Sequence, residues 1–305
     1  MILRFIPSFV LGCLALILVG CNAAEAYRQA LDTFSQAAAL EISQDETMTK
    51  PNSYLDISSL YPAAASPAPT KQDAGYFYGK TLDLLAKALK GESQLAKLGI
   101  LDNAYTLQAL TQWRQGNYEA VQQTLSTMDT LPSNDNDPDD IRDEALRKAL
   151  PGLINIDRAY QALQESQAAM KKLGDTPESE RKAKYEMIKS FYTQYATDDS
   201  DGAPSVERAF AILDYALQDV PQNEDVYLYL LNSKLAGLDT WGDLLFNTFT
   251  ASRRLSVSTF APEEKAWIDN ERSAYEARRK AMLARLEEVV GSKTHELYKY
   301  WIGVL

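Results

Sequence analysis

Two acidic loops have side chains at spacings that could bind a calcium ion. In residues 135–140, carboxylate or amide groups occupy alternate positions, as they do in calcium loops. That loop lacks the glycine required at its sixth position, and its twelfth residue is Leu146 rather than glutamate. Residues 199–202 include a glycine, but Thr197 and Arg208 occupy the first and twelfth positions. Because each loop fails at ligand positions, we predict no metal site.

Acid–base and nucleophilic catalysis have few candidate residues. His295 is the only histidine, and no nucleophile elbow, zinc-protease motif or phosphate loop occurs. The pair Glu165-Ser166 resembles that of lytic transglycosylases, but residues 167–175 do not match the Gly-Leu-Met-Gln-like segment those enzymes also need. We therefore predict no enzymatic activity, no catalytic residue and no cofactor, and we assign His295 to the surface or to packing.

Cys21 is the thiol best placed for covalent chemistry. It follows an apolar segment from Phe5 to Val19, which is about 15 residues long and is preceded by the cationic Arg4. A bilayer-spanning helix needs roughly 20 residues, so this segment is too short to cross a membrane. A short apolar segment after a positive charge, ending in small residues, is typical of a signal peptide.

The stretch from Leu18 to Cys21 reads Leu-Val-Gly-Cys and resembles the lipobox of bacterial lipoproteins. The resemblance implies that residues 1–20 are removed and that Cys21 is acylated, so that the lipid bilayer becomes a partner. Asn22 stands where aspartate is the usual inner-membrane retention signal of enteric bacteria. The resemblance therefore implies an outer-membrane protein that faces the periplasm.

The composition is acidic, with 31 basic and 42 acidic residues and a net charge of −11. Nucleic-acid binding needs a basic surface that releases phosphate counterions, and no such cluster occurs, so we predict no nucleic-acid partner. The only other cysteine, Cys13, lies within the signal segment. The folded part is thus predicted to contain no disulfide, and its length is sufficient for a core without one.

Apolar residues recur at helical spacing along most of the chain and predict an all-α fold. The predicted helices span residues 23–42, 76–89, 103–115, 117–130, 141–149, 152–173, 177–196, 204–220, 223–235, 241–255, 262–290 and a short terminal stretch from 293. Residues 44–74 are rich in proline and alanine and predict an irregular connection, and residues 255–260 are the only candidate strand. The predicted organisation is a signal peptide (1–20), a lipidated N-terminus with the first helix (21–43), the connection (44–74) and a helical-repeat domain (75–305).

Two segments, 103–135 and 204–236, share a spacing of small residues and proline. The shared positions are Ala209, Ala216 and Pro221 in one segment and Ala120, Thr127 and Pro132 in the other. Both segments resemble tetratricopeptide repeats, in which small residues let two helices approach closely. The resemblance implies antiparallel helical hairpins stacked as a solenoid with a concave surface; a generic helical bundle is the alternative.

Two further patterns bear on binding: a set of tyrosines, and a seven-residue recurrence in one helix. Tyrosine is apolar along its ring and polar at its tip, which suits a recognition surface. We predict that an exposed tyrosine among Tyr192, Tyr195, Tyr227 and Tyr229 contributes to binding, whereas most aromatic residues are core.

In the helix 262–290, four residues recur every seven positions: Ile268, Tyr275, Met282 and Val289. The matching d positions are Glu271, Arg278 and Arg285, so no coiled-coil seam is expected. We predict one face docked on the domain, with a free partner-binding helix as the alternative.

These observations favour a membrane-anchored, periplasm-facing adaptor or assembly scaffold that binds envelope proteins. The alternative is a ligand-binding accessory lipoprotein of a solute transporter, since some lipidated tetratricopeptide-like proteins are associated with transporters. A pocket closed on most sides would favour the ligand-binding alternative, and an open, shallow channel would favour the adaptor.

Overall fold

The computed structural model describes residues 8–44, 57–61, 72–131, 140–172, 178–250 and 261–305. Within these ranges every regular element is a helix and none is a strand, which confirms the all-α prediction at that level. The helices form two compact units, one ending at Arg147 and the other running from Lys148 to Leu305. The predicted boundaries at residues 20, 43 and 74 stay predictions.

The described part of the N-terminal unit is helical. Its helices are α1 (Ser8–Gln44), α2 (Ala74–Ala88), α3 (Glu92–Lys97), α4 (Leu101–Arg114), α5 (Tyr118–Met128) and the beginning of α6 (Asp140–Lys172). Two short 3₁₀ turns, Ile57–Ser59 and Leu89–Gly91, belong to the same unit. Helix α1 packs along α2, and α4 packs against both α2 and α5.

Helix α1 holds this unit together through a stripe of small side chains. Ala23, Ala26, Ala30 and Ala37 are buried at helical spacing, so the backbone of α1 can approach its neighbours closely. Phe34 interrupts the alanines, and its ring centroid lies 5.3 Å from that of Tyr61 and 5.7 Å from that of Tyr78. This aromatic cluster fills the space that the alanines leave.

The turn between α4 and α5 lies at Gly116, the residue between the predicted helices 103–115 and 117–130. That glycine has a φ of 71°, in the left-handed region where a side chain would be strained. Asn117 follows and caps α5, because its side-chain oxygen accepts a hydrogen bond from the Ala120 amide at 3.2 Å. The local sequence thus ends one helix and begins the next within three residues.

The C-terminal unit contains the rest of α6 and five further helices. They are α7 (Glu178–Tyr192), which continues into a π-helical turn at Thr193–Thr197, α8 (Val206–Leu217), α9 (Asp225–Thr250), α10 (Pro262–Val290) and α11 (Glu296–Val304). Helix α9 packs against α7, α8 and α10. Trp241 of α9 lies in the core with Tyr192, Phe210, Ile268 and Tyr275 from the surrounding helices.

The predicted helix break at Pro151 is wrong, because α6 runs through that residue. A proline inside a helix costs about 3 kcal/mol through a lost hydrogen bond and a steric clash. Pro151 is exposed, whereas Leu150 and Leu153 on either side of it are fully buried. The burial of Leu150 and Leu153 on either side of Pro151 offsets this cost and keeps the helix continuous.

The predicted break after residue 235 is also wrong, since α9 continues to Thr250. Gly237 lies inside this helix, where a Cβ atom would sit 3.1 Å from the Phe210 ring and 3.2 Å from Ile156. The glycine therefore permits close packing between helices instead of ending one. The candidate strand, the last residues of the predicted 241–255 helix and most of the first acidic loop lie outside the described residues.

Candidate functional site

Cys21 lies within α1, two residues before the buried Ala23. Ala23 is only 3% exposed, and Ala26 and Ala30 continue the buried stripe. On the opposite face, Arg28 donates to Glu25 at 2.7 Å in an exposed ion pair. The segment that follows the predicted lipidation site is therefore part of the folded unit. Among the described residues, no helix is long and apolar enough to cross a membrane.

The four predicted binding tyrosines all lie in the C-terminal unit, but they differ in exposure. Tyr192, Tyr227 and Tyr229 are buried, and Tyr195 is partly exposed. Tyr192 is a core residue whose hydroxyl accepts from Trp241 Nε1 at 2.8 Å and donates to Glu271 Oε2 at 2.9 Å. Burial raises the pKa of Tyr192, so the phenol stays protonated and holds both bonds.

Tyr195 lies in the π-helical turn that follows α7 and lines an open cleft of about 290 Å³. Its ring stacks on Phe191, with the centroids 6.1 Å apart. Arg158 and Glu165 of α6 and Pro204 also line this cleft. Single π turns inside helices recur at functional sites, so Tyr195 is the predicted tyrosine best placed to meet a partner directly.

Tyr227 is buried, yet its hydroxyl reaches a second cleft of about 370 Å³ formed by α8, α9 and α10. Leu217, Val220 and Leu231 supply apolar lining, and Lys234 and Arg285 supply positive charge. This cleft is also open to solvent on one side, and its volume falls in the range of small-molecule sites.

The charges of the Tyr227 cleft are largely paired within the protein. Lys234 donates through Nζ to Asp214, and Arg285 donates through Nη1 to Glu288. Hydrogen bonds to Glu288 and to Tyr227 raise the pKa of Arg285. A ligand anion would compete with these carboxylates, which makes the cleft a weak site for charge-driven binding.

One stripe of α10 forms a polar seam with the rest of the unit, and sequence reasoning did not identify it. Glu271 accepts from Tyr192 of α7, and Arg285 donates to Tyr227 of α9. Between them, Arg278 donates to Glu207 of α8 at 2.8 Å and lies 4.6 Å from the centre of the Trp241 ring. The seven-residue spacing of these polar residues was the sequence feature from which the seam could have been predicted.

His295 caps α11: its Nδ1 accepts the Leu297 amide at 3.2 Å, and the side chain is exposed. In the second acidic loop, Ser200 donates to Asp198 from its hydroxyl and its amide, which holds the pKa of that carboxyl below its usual value. Asp201 pairs with Arg208 at 2.6 Å. No group of three potential metal-binding side chains comes together in the described ranges.

Comparison with known proteins adds no relative: no family model, no curated protein and no solved structure matches the chain.

Proposed function

We propose that this chain is a lipid-anchored envelope protein that holds other proteins near a membrane. The observation that carries the proposal is the Leu18–Cys21 segment, which lies in a helix whose following turns pack in a folded unit. Acylated Cys21 would provide the anchor, and the helices would provide binding surfaces. Asn22 favours the outer membrane, with the protein facing the periplasm.

The helices support an adaptor built from antiparallel hairpins. In the pair α8–α9, the small residues Ala209 and Ala216 are buried, as the tetratricopeptide-like spacing requires. In the pair α4–α5, Ala120 is half-buried and Thr127 is exposed, so this hairpin fits the spacing less well. We therefore propose degenerate repeats rather than a regular array.

A binding role is also supported by the contacts of the polar residues, which join helices to one another or cap a helix. Glu271, Arg278 and Arg285 join helices to one another, and His295 caps a helix. Each of these groups has a structural partner that accounts for its position. We propose a protein without chemistry of its own, whose partners are other envelope proteins.

The alternative is a ligand-binding accessory of a solute transporter, and the Tyr227 cleft is the observation that favours it. It combines an apolar lining with two cations, Lys234 of α9 and Arg285 of α10. Its openness and paired charges weigh against a tight small-molecule site, and we therefore retain the adaptor as the leading proposal.

The anchor is tested by expressing Cys21→Ser beside the native chain in bacteria supplied with an alkyne analogue of palmitate. We expect labelling of the native chain and none of the variant, which should also leave the membrane fraction or stay uncleaved. Labelling that survives the substitution would overturn the anchor.

The adaptor is tested by capturing the native chain from detergent-solubilised membranes and identifying what comes with it. We expect one or more envelope proteins in amounts comparable to the bait and absent from a capture with Ala216→Trp, which disturbs the α8–α9 packing. A transporter component bound only in the presence of its solute would favour the alternative instead.

A further inference from the structure

We infer that the start of the processed chain, at Cys21 within α1, and the segment beside it form a surface that contacts lipid headgroups. We call this surface the anchor edge and define it by Lys90, Ser93, Lys97 and Leu98. The inference rests on the proposed acylation of Cys21 and deepens it. It states that the N-terminal unit lies against the bilayer and does not swing on a flexible tether.

The first step is the shortness of the connection between anchor and fold. Two peptide steps separate Cys21 from Ala23, so their Cα atoms are at most about 7 Å apart even in an extended chain. Ala23 is buried, and the following turns of α1 pack along α2. No flexible linker therefore separates the acylated residue from the folded unit.

The second step identifies what surrounds Ala23. A Cβ atom at Gly91 would lie 2.6 Å from the Ala23 Cβ, so the backbone of the 3₁₀ turn Leu89–Gly91 lies against α1 at Ala23. Helix α1 also contacts α3, which follows that turn directly. Residues 90–98 are therefore carried at the same end of the unit as Cys21.

The third step is the chemistry of these residues. Lys90 and Lys97 are exposed, and neither forms an ion pair within the described part of the chain. Of the acidic neighbours, Glu25 forms an ion pair with Arg28, whereas Glu92 accepts from the neutral hydroxyl of Tyr105 at 2.6 Å and keeps its charge. The two lysines therefore leave one net positive charge at this edge.

Leu98 adds an apolar side chain to the same edge and is 54% exposed. In a chain of net charge −11, this edge combines two exposed lysines with an exposed leucine near the proposed anchor. Anionic headgroups attract basic side chains that lie at the membrane surface, and apolar side chains enter the headgroup boundary. The bilayer is thus the occupant that fits this surface.

The opposite end of α1 supplies a control position. Glu41 lies 18 residues after Ala23, which is about 27 Å along a helix. Glu41 pairs with Arg114, and the exposed Gln115 follows Arg114 directly. A probe at Gln115 should therefore stay in water when a probe at Ser93 is at the headgroups.

The experiment uses the full chain, processed and acylated in bacteria, with Ser93→Cys or Gln115→Cys. The mature protein has no other free thiol, because Cys13 is removed and Cys21 carries lipid. Each introduced thiol is labelled with bimane, and the protein is reconstituted into vesicles of phosphatidylethanolamine and phosphatidylglycerol that contain a headgroup nitroxide lipid.

We expect bimane emission to be quenched at Ser93→Cys and to be unchanged at Gln115→Cys, each relative to vesicles without nitroxide. A Gly/Ser insertion of ten residues between Asn22 and Ala23 should abolish the quenching while the protein still floats with the vesicles, because such a linker reaches roughly 17 Å.

Two results would overturn the inference and leave the anchor intact: no quenching at Ser93→Cys in a protein that floats with the vesicles, or equal quenching at both positions. Absence of acylation and of flotation would overturn the proposed anchor itself, and the inference with it.

Discussion

The guanidinium of Arg285 donates two hydrogen bonds to the hydroxyl of Tyr227, from Nε at 2.9 Å and from Nη2 at 2.6 Å. This contact joins α10 to α9 at the rim of the larger cleft. Arg278 and Glu271 lie seven and fourteen residues earlier and join α10 to α8 and α7. A charged stripe at coiled-coil spacing thus adds specific pairs to the apolar contacts that Ile268 and Tyr275 of α10 make in the core.

The first prediction concerns the Arg285 contact. Arg285→Met keeps most of the side-chain volume but leaves the Tyr227 hydroxyl without its two donors. We expect the free energy of unfolding to fall by about 1 kcal/mol, the usual contribution of such hydrogen bonds. Urea unfolding followed by circular dichroism measures it. Lys280→Met on the exposed face of α10 is the control; equal losses in both variants would show that the contact contributes nothing.

The second prediction concerns the core hydroxyl of Tyr192. Tyr192→Phe leaves the buried Trp241 N–H without an acceptor and Glu271 without a donor. A buried unpaired donor costs roughly 1–3 kcal/mol, so we expect a loss of stability in that range. Thermal and urea unfolding provide the measurement.

Tyr195→Phe serves as the matched control for Tyr192→Phe, since the partly exposed Tyr195 lines an open cleft that water can enter. We expect that control to unfold like the native chain. Unchanged stability of Tyr192→Phe would mean that the Trp241–Tyr192–Glu271 chain does not form.

The sequence predicted most of the helices because their apolar periodicity and their end signals agree. Gly116 ends α4, Pro262 begins α10 and Gly291 follows its last turn. The errors at Pro151 and in α9 have one cause. A local break signal was outweighed by burial on both sides of it, and that burial depends on contacts distant in sequence.

The candidate sites were harder to predict from the sequence than the helices were. The polar residues at the d positions of α10 indicated that no coiled-coil seam is present; they are Glu271, Arg278 and Arg285. Their hydrogen-bond partners lie on three other helices and therefore cannot be identified from the sequence of α10 alone. The same holds for the tyrosines: helical spacing does not distinguish the buried Tyr192 from the partly exposed Tyr195, since both lie near the end of one helix. Acylation of Cys21 is a motif-based prediction that needs no tertiary contact.

The third prediction concerns alkaline pH. Burial is the largest cause that raises the pKa of Tyr275 to about 12, compared with about 10 in an unfolded chain. The folded state therefore favours the neutral phenol. This contribution to stability is fully present below pH 10 and is lost as the pH rises through 12.

Chemical denaturation at a series of pH values measures this effect for the native chain and for Tyr275→Phe. We expect the native chain to lose stability more steeply between pH 10 and pH 12 than the variant does. Identical slopes would show that Tyr275 titrates as it does in water.

The fourth prediction concerns the close approach of α8 to its neighbours. Ala216 is 2% exposed, so Ala216→Trp places a large ring in space that is already filled. Overpacking of this kind costs typically 1–3 kcal/mol, and thermal melts should show a lower Tm. Tyr215→Trp is the control, because Tyr215 is exposed and its contact with Lys148 survives the change. An unchanged Tm in Ala216→Trp would mean that Ala216 is exposed and that the proposed repeat register is wrong.

The last prediction separates binding from folding among the tyrosines. Tyr195 is partly exposed in an open cleft, whereas Tyr192 is anchored in the core by two hydrogen bonds. Tyr195→Ala should therefore leave the unfolding transition nearly unchanged and weaken capture of the partner protein by about 1 kcal/mol or more, as loss of an aromatic anchor does. Tyr192→Ala should lose stability first and binding only as a consequence.

The two variants are compared by urea unfolding and by quantitative capture from solubilised membranes. His295→Ala is the reference for a surface change, because it removes only the cap of α11. If Tyr195→Ala captured partners as well as the native chain, the recognition surface would lie elsewhere; if His295→Ala abolished function in a folded, abundant protein, the non-enzymatic proposal would be wrong.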